Sequence, residues 1–74
     1  MIPAFIRGLE RAMMQYHIDN APLESGGLRQ TASEIDARML AGSKFDWNTY
    51  QAGKSFGVGL YKKFTGYVPL SQNH

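Results

Sequence analysis

DWNTYQAGKSFGVGLYKKF, residues 46–64, decides the fold. Wound at about 100° per residue, it gathers Trp47, Tyr50, Gly53, Gly57, Leu60, Tyr61 and Phe64 into one stripe. Gln51, Ser55, Lys62 and Lys63 lie away from the stripe's centre. The ends carry helix signals. Ser43 or Asp46 can cap the first turn, and Lys62 and Lys63 place cations in the last turn, where they favour the helix dipole. Gly66 follows as a stop, and Pro69 prevents resumption. Against this stand Gly53, Gly57 and Gly59, which together cost a helix roughly 2–3 kcal/mol. A competing reading sets Phe56, Val58 and Leu60 in alternation with Gly57 and Gly59 as a strand, with FTGY turning a hairpin. The stripe and its two end signals favour the helix.

Working back toward the N-terminus, residues 32–41 read as a second helix. Thr31 and Glu34 have the spacing of a capping box. Ala32, Ile35 and Met39 share a face, Glu34 and Arg38 are a favourable i, i+4 pair, and Gly42 is the expected left-handed terminator. DNAPLESGGLRQ, residues 19–30, reads as a Gly-rich mobile loop, because Gly26 and Gly27 open backbone angles closed to other residues. Residues 3–18 read as the first helix. Pro3 suits its start, and Pro22 forces Ala21 out of helical geometry. Ile2, Phe5, Ile6, Leu9, Ala12, Met13 and Tyr16 fall on one face about 120° wide, the expected core side, with Arg7, Arg11 and Gln15 opposite.

The expected fold is therefore all-α: a small three-helix domain over residues 1–66 with a Gly-rich loop between the first two helices, then an extended, partly disordered tail over 67–74. The alternative is α+β with a short C-terminal hairpin.

The chain has 74 residues and no cysteine. A domain this small buries little surface, and natural solutions are disulfides, a metal or association. Disulfides are excluded, and two histidines, His17 and His74, cannot build the usual zinc site. Association with itself or with a larger partner remains. No apolar run reaches the roughly 18 residues a membrane span needs, and the N-terminus lacks the layout of a secretory signal. The expected location is cytoplasmic.

Charge is uneven. Residues 1–46 hold five basic and six acidic residues, whereas residues 47–74 hold Lys54, Lys62 and Lys63 and no acid. Seven of the nine aromatics fall between residues 45 and 67: Phe45, Trp47, Tyr50, Phe56, Tyr61, Phe64 and Tyr67. Rings beside cations, free of acids, have the composition of a recognition face. Trp47, Leu60 and Phe64 are expected in the core. Tyr50, Phe56, Tyr61, Lys62, Lys63 and Tyr67 are expected on the surface with Lys54. Gly53-x-x-x-Gly57 leaves a notch either for internal packing against the first helix or for another chain.

Catalytic signals are weak. Gly53-Lys54-Ser55 lacks the upstream glycine of a phosphate loop, since Asn48 stands there. His17 reads as a helix-end surface residue, and Asp36 as a carboxylate paired to Arg38 or Lys44. No cofactor, metal or small-molecule substrate is expected, and no enzyme activity. The functional expectation is a protein-binding module, an adaptor or inhibitor of a larger protein and of a kind viruses encode. Its partner-binding residues are Tyr50, Gly53, Lys54, Phe56, Gly57, Tyr61, Lys62, Lys63 and Tyr67. The alternatives are a nucleic-acid accessory protein stacking bases on the same rings, and a structural component of a larger particle.

Overall fold

A computed structural model of the chain describes residues 2–70. Three helices account for most of it: α1 (Ala4–Asn20), α2 (Gly26–Leu40) and α3 (Lys44–Thr65). The all-α three-helix reading holds, and the hairpin alternative fails because residues 53–60 lie inside α3. Residues 71–74 of the expected tail lie outside the described residues.

Local chemistry sets the ends of α3. The Ser43 hydroxyl accepts from the backbone N–H of Asp46 at 3.1 Å, which satisfies one of the unpaired first-turn donors. At the other end Gly66 adopts the left-handed conformation (φ 75°) and its N–H donates to the Lys62 carbonyl at 2.9 Å. A glycine makes that conformation cheap. In α1, Pro3 sits at the N-cap position, one residue before the place the sequence suggested. Its carbonyl accepts from Arg7 N–H.

Two expectations about α2 are corrected. Gly26 and Gly27 form its first turn instead of a loop, and the connection from α1 shrinks to a 3-10 turn at Pro22–Glu24 with Ser25 behind it. The Ser25 carbonyl accepts from Arg29 N–H at 2.8 Å, so the helix starts six residues earlier than the capping box implied. Thr31, now in mid-helix, donates its hydroxyl back to the Gly27 carbonyl at 3.0 Å, the usual outlet for a threonine there. Gly42 is also not left-handed, since Gly66 alone has positive φ among the described residues. Ala41 and Gly42 close α2 with right-handed turns onto Ala37 and Met39.

The helices are joined by a seam of small residues. A methyl group placed on Gly8 would overlap the backbone of Tyr50 and Lys54, and one placed on Gly53 would overlap the Phe5 carbonyl. One placed on Gly57 would lie 2.7 Å from the Ala12 methyl. The pairings climb together, Phe5 with Gly53, Ala12 with Gly57 and Tyr16 with Tyr61, so α1 and α3 run parallel. The GxxxG pattern thus packs internally, backbone on backbone. The rest of the core is small: Ala12, Ile18, Ala32, Ile35 and Tyr50 are the buried hydrophobic residues, and Tyr50 is the largest fully buried side chain.

Gly53→Ala should destabilise the domain by at least about 2 kcal/mol despite its better helix propensity, because the obstruction is backbone that cannot rotate away. Gly59, whose surroundings are open, is the control. Gly59→Ala should stabilise by about 1 kcal/mol. Urea midpoints of the two variants check the pair of signs.

Candidate functional site

Wherever glycines set the contact, larger side chains must splay to either side of it. On α1, about 100° per residue places Ile6, Leu9 and Met13 on one flank of the Gly8–Ala12 seam and Arg11 and Gln15 on the other. The two flanks differ completely in chemistry.

The apolar flank is an open groove of about 460 Å³ between α1 and α3. Ile6, Leu9, Met13, Gly57, Leu60 and Phe64 line it, with Glu10, Tyr61 and Thr65. α2 packs on the opposite flank and leaves these side chains uncovered. Leu60 is 41% and Phe64 77% exposed, and Ile6 and Met13 are 43% exposed each. Ile2, Phe5 and Phe56 extend the same apolar surface, with the Phe5 and Phe56 rings 5.9 Å apart.

The polar flank is a hydrogen-bonded network through all three helices and the C-terminal segment. Arg11, buried, donates Nε to both Asp36 carboxylate oxygens at 3.1 Å and Nη1 to Gln15 Oε1 at 2.9 Å. Gln15 Nε2 donates to Asp19 Oδ1 at 2.7 Å. Asp19 Oδ2 then accepts from the Tyr67 hydroxyl at 2.5 Å and from Leu70 N–H at 3.2 Å. At the other end the Tyr50 hydroxyl donates to Asp36 Oδ1. No buried side-chain nitrogen or oxygen among the described residues lacks a partner. Burial, followed by the hydrogen bond and negative charge of Asp36, pushes the Tyr50 phenol well above its ordinary pKa. Burial and Asp19 do the same for Tyr67. Beside the network, burial and the nearby Arg11 guanidinium pull the Lys54 ammonium down, with Asp36 opposing.

The expected partner-binding residues are dispersed by this geometry. Tyr50 and Gly53 are buried in or beside the seam and offer no outer surface, whereas Gly57, also buried, lies at the inner edge of the groove. Tyr50 can go inside because Asp36 satisfies its hydroxyl. Tyr61 and Tyr67 are half-buried against Tyr16, Tyr61 stacked at 4.3 Å and Tyr67 edge-on at 5.1 Å. Lys54 is half-buried on the polar flank. Phe56, Lys62 and Lys63 are exposed, and Lys63 Nζ lies 5.9 Å from the Phe64 ring centroid. Leu60 and Phe64, expected in the core, instead form the groove. Arg11, expected on a solvent face, is buried, and Asp36 pairs with it instead of with Arg38 or Lys44.

Of the groove residues, Gly57 and Tyr61 are among the expected partner-binding residues, whereas Ile6, Leu9, Met13, Leu60 and Phe64 have the helical spacing of core. The signal was present: α2 offers only Leu28, Ala32, Ile35 and Met39, too few to cover both stripes.

No known protein family, curated protein or solved structure matches this chain.

Two outcomes test the network. Tyr50→Phe should cost about 2 kcal/mol, since it removes a hydrogen bond to a charged acceptor, measured by chemical denaturation. A phenol whose folded pKa lies above its unfolded value of about 10 contributes stability that is intact below that pH and is lost as pH rises beyond it. Domain stability should therefore fall above about pH 10, and phenolate absorbance of the buried Tyr50 should appear only together with loss of helical circular dichroism, whereas Tyr67, beyond the end of α3, is free to ionise earlier. Single Tyr→Phe variants assign the signals.

Proposed function

We propose that the protein is a non-catalytic binding module, an adaptor or inhibitor, that captures a larger protein through the α1–α3 groove. The observation that carries this reading is an apolar groove left open between two helices whose own contact is made by glycines. A small domain that exposes Ile6, Met13, Leu60 and Phe64 side by side loses stability and solubility by doing so, and a partner that covers them returns the burial. Ile6, Leu9 and Met13 on one wall and Leu60 and Phe64 on the other offer the apolar lining that receives the apolar face of an amphipathic helix. Lys62 and Lys63, exposed in the last turn of α3, favour acidic residues beside that helix.

The C-terminal third remains central, with the roles of its residues changed. Leu60 and Phe64 supply contact area, Lys62 and Lys63 supply charge, and Tyr61 and Tyr67 hold the wall in place. A nucleic-acid reading draws less support, because three of the rings that would stack bases, Tyr50, Tyr61 and Tyr67, are packed against other side chains. No helix of the described residues is long and apolar enough to cross a membrane, and the proposed place of action is the cytoplasm.

The test is capture by affinity pull-down with paired variants. Met13→Ser combined with Phe64→Ser should abolish capture of the partner while the helical circular dichroism is retained, since Phe64 is largely exposed and Met13 lies outside the buried core. Lys62→Glu should weaken capture and reduce its salt dependence. Arg29→Ala, on exposed α2 surface, should leave it unchanged. Retention of the partner by the double variant contradicts the groove. A gel shift with single-stranded nucleic acid that survives the double variant favours the other reading.

A further inference from the structure

Across the seam from the groove lies a second recess of about 300 Å³ between α1, α3 and the returning C-terminal segment. Its polar lining is Lys54, Gln51, Ser55 and Gln15, and its apolar lining is Val58, Gly59 and the buried Pro69. Gln15 is committed to Arg11 and Asp19. Lys54, Gln51 and the exposed Ser55 make no side-chain hydrogen bond or ion pair among the described residues, so three donors line the recess without a protein partner.

Charge sharpens the point. Lys54 is half-buried and shares its surroundings with Arg11, a second cation. The nearby carboxylate, Asp36, is already held by Arg11 and by the Tyr50 hydroxyl. A partly desolvated ammonium without a counter-ion is unfavourable, and its lowered basicity reflects that. An anion in the recess would neutralise it, while Gln51 and Ser55 supply neutral donors. Val58, Gly59 and Pro69 would cover an apolar body. The volume is at the small end of ligand pockets.

We infer that this recess binds a small organic carboxylate, with the carboxylate on Lys54 and its apolar part against Val58 and Pro69. The single cation and half-apolar lining fit a monocarboxylate better than a phosphate, which needs more donors. The inference does not depend on the groove, which uses the opposite flank of the seam.

The experiment is a titration of the isotope-labelled full chain, followed by amide chemical shifts, with benzoate, benzamide and inorganic phosphate as probes. Benzoate should give saturable shifts confined to residues around Gln51, Ser55 and Gly59, at millimolar concentration or below. Benzamide and phosphate should bind at least about tenfold more weakly, as should benzoate to Lys54→Met, the loss expected for a hydrogen bond to a charged group. Lys54→Arg should retain part of the affinity. A second readout needs no variant: saturating benzoate should raise the pKa of Lys54 Nζ, read from its side-chain resonances. The inference is overturned if benzoate gives no saturable shift, if benzamide or phosphate binds as well, if Lys54→Met binds benzoate undiminished, or if the Lys54 titration is unmoved.

Discussion

Contact between the backbones of α1 and α3 is the constraint from which the remaining features follow. Gly8 and Gly53 each lie against a backbone stretch of the facing helix with no room for a methyl group, and Gly57 meets Ala12 one turn further on. Such closeness favours dispersion contacts along the whole seam and Cα–H to carbonyl interactions across it. It also removes large side chains from the place where a helix pair ordinarily keeps its core. The rings and aliphatic chains are displaced to the flanks, and the character of each flank is set by what covers it. α2 and the returning chain cover one with a saturated polar network. Nothing in the described chain covers the other.

The same constraint explains why the interior contains a tyrosine and an arginine. With glycines at the seam, the space left beside it near α2 is filled by Tyr50, Arg11 and Asp36, residues that carry their own hydrogen-bond partners. Buried charges of this kind add little net stability over an apolar core, but removing one partner strands the other. Their contribution here is geometric. Arg11, Gln15 and Asp19 form a ladder along α1 that ties α2 at one end and Tyr67 and Leu70 at the other. That ladder fixes which flank of α1 is closed and therefore which is open.

Much of the fold was legible from residues 46–64. Ser43, Lys62, Lys63 and Gly66 mark the ends of α3 by local chemistry, and the stripe through Gly53 and Gly57 does face the first helix. Two features of the fold were not legible, for identifiable reasons. Gly26 and Gly27 look like a loop because propensity alone disfavours them in a helix, yet the cost is modest and tertiary contacts of Ala32 and Ile35 outweigh it. Arg11 sits on the polar face of a helical wheel, and only its partners Asp36 and Gln15, one of them 25 residues away, reveal that it turns inward. The candidate site was half legible. The C-terminal third does carry Leu60, Phe64, Lys62 and Lys63, but its α1 wall, Ile6, Leu9 and Met13, looks like core in any single helix and becomes surface only once the third helix is placed.

The most direct measurement of the central claim is a nuclear Overhauser experiment between Hα protons on the facing backbones. Side chains of ordinary size hold paired helices about 8–10 Å apart, too far for strong cross-peaks between Hα protons. Backbone contact through glycine predicts strong cross-peaks from Gly53 Hα to Phe5 Hα and from Gly8 Hα to the backbone protons of Gly53 and Lys54. Absence of both, in a chain that is otherwise helical and folded, would contradict the seam, and with it the origin of the groove and of the recess across from it.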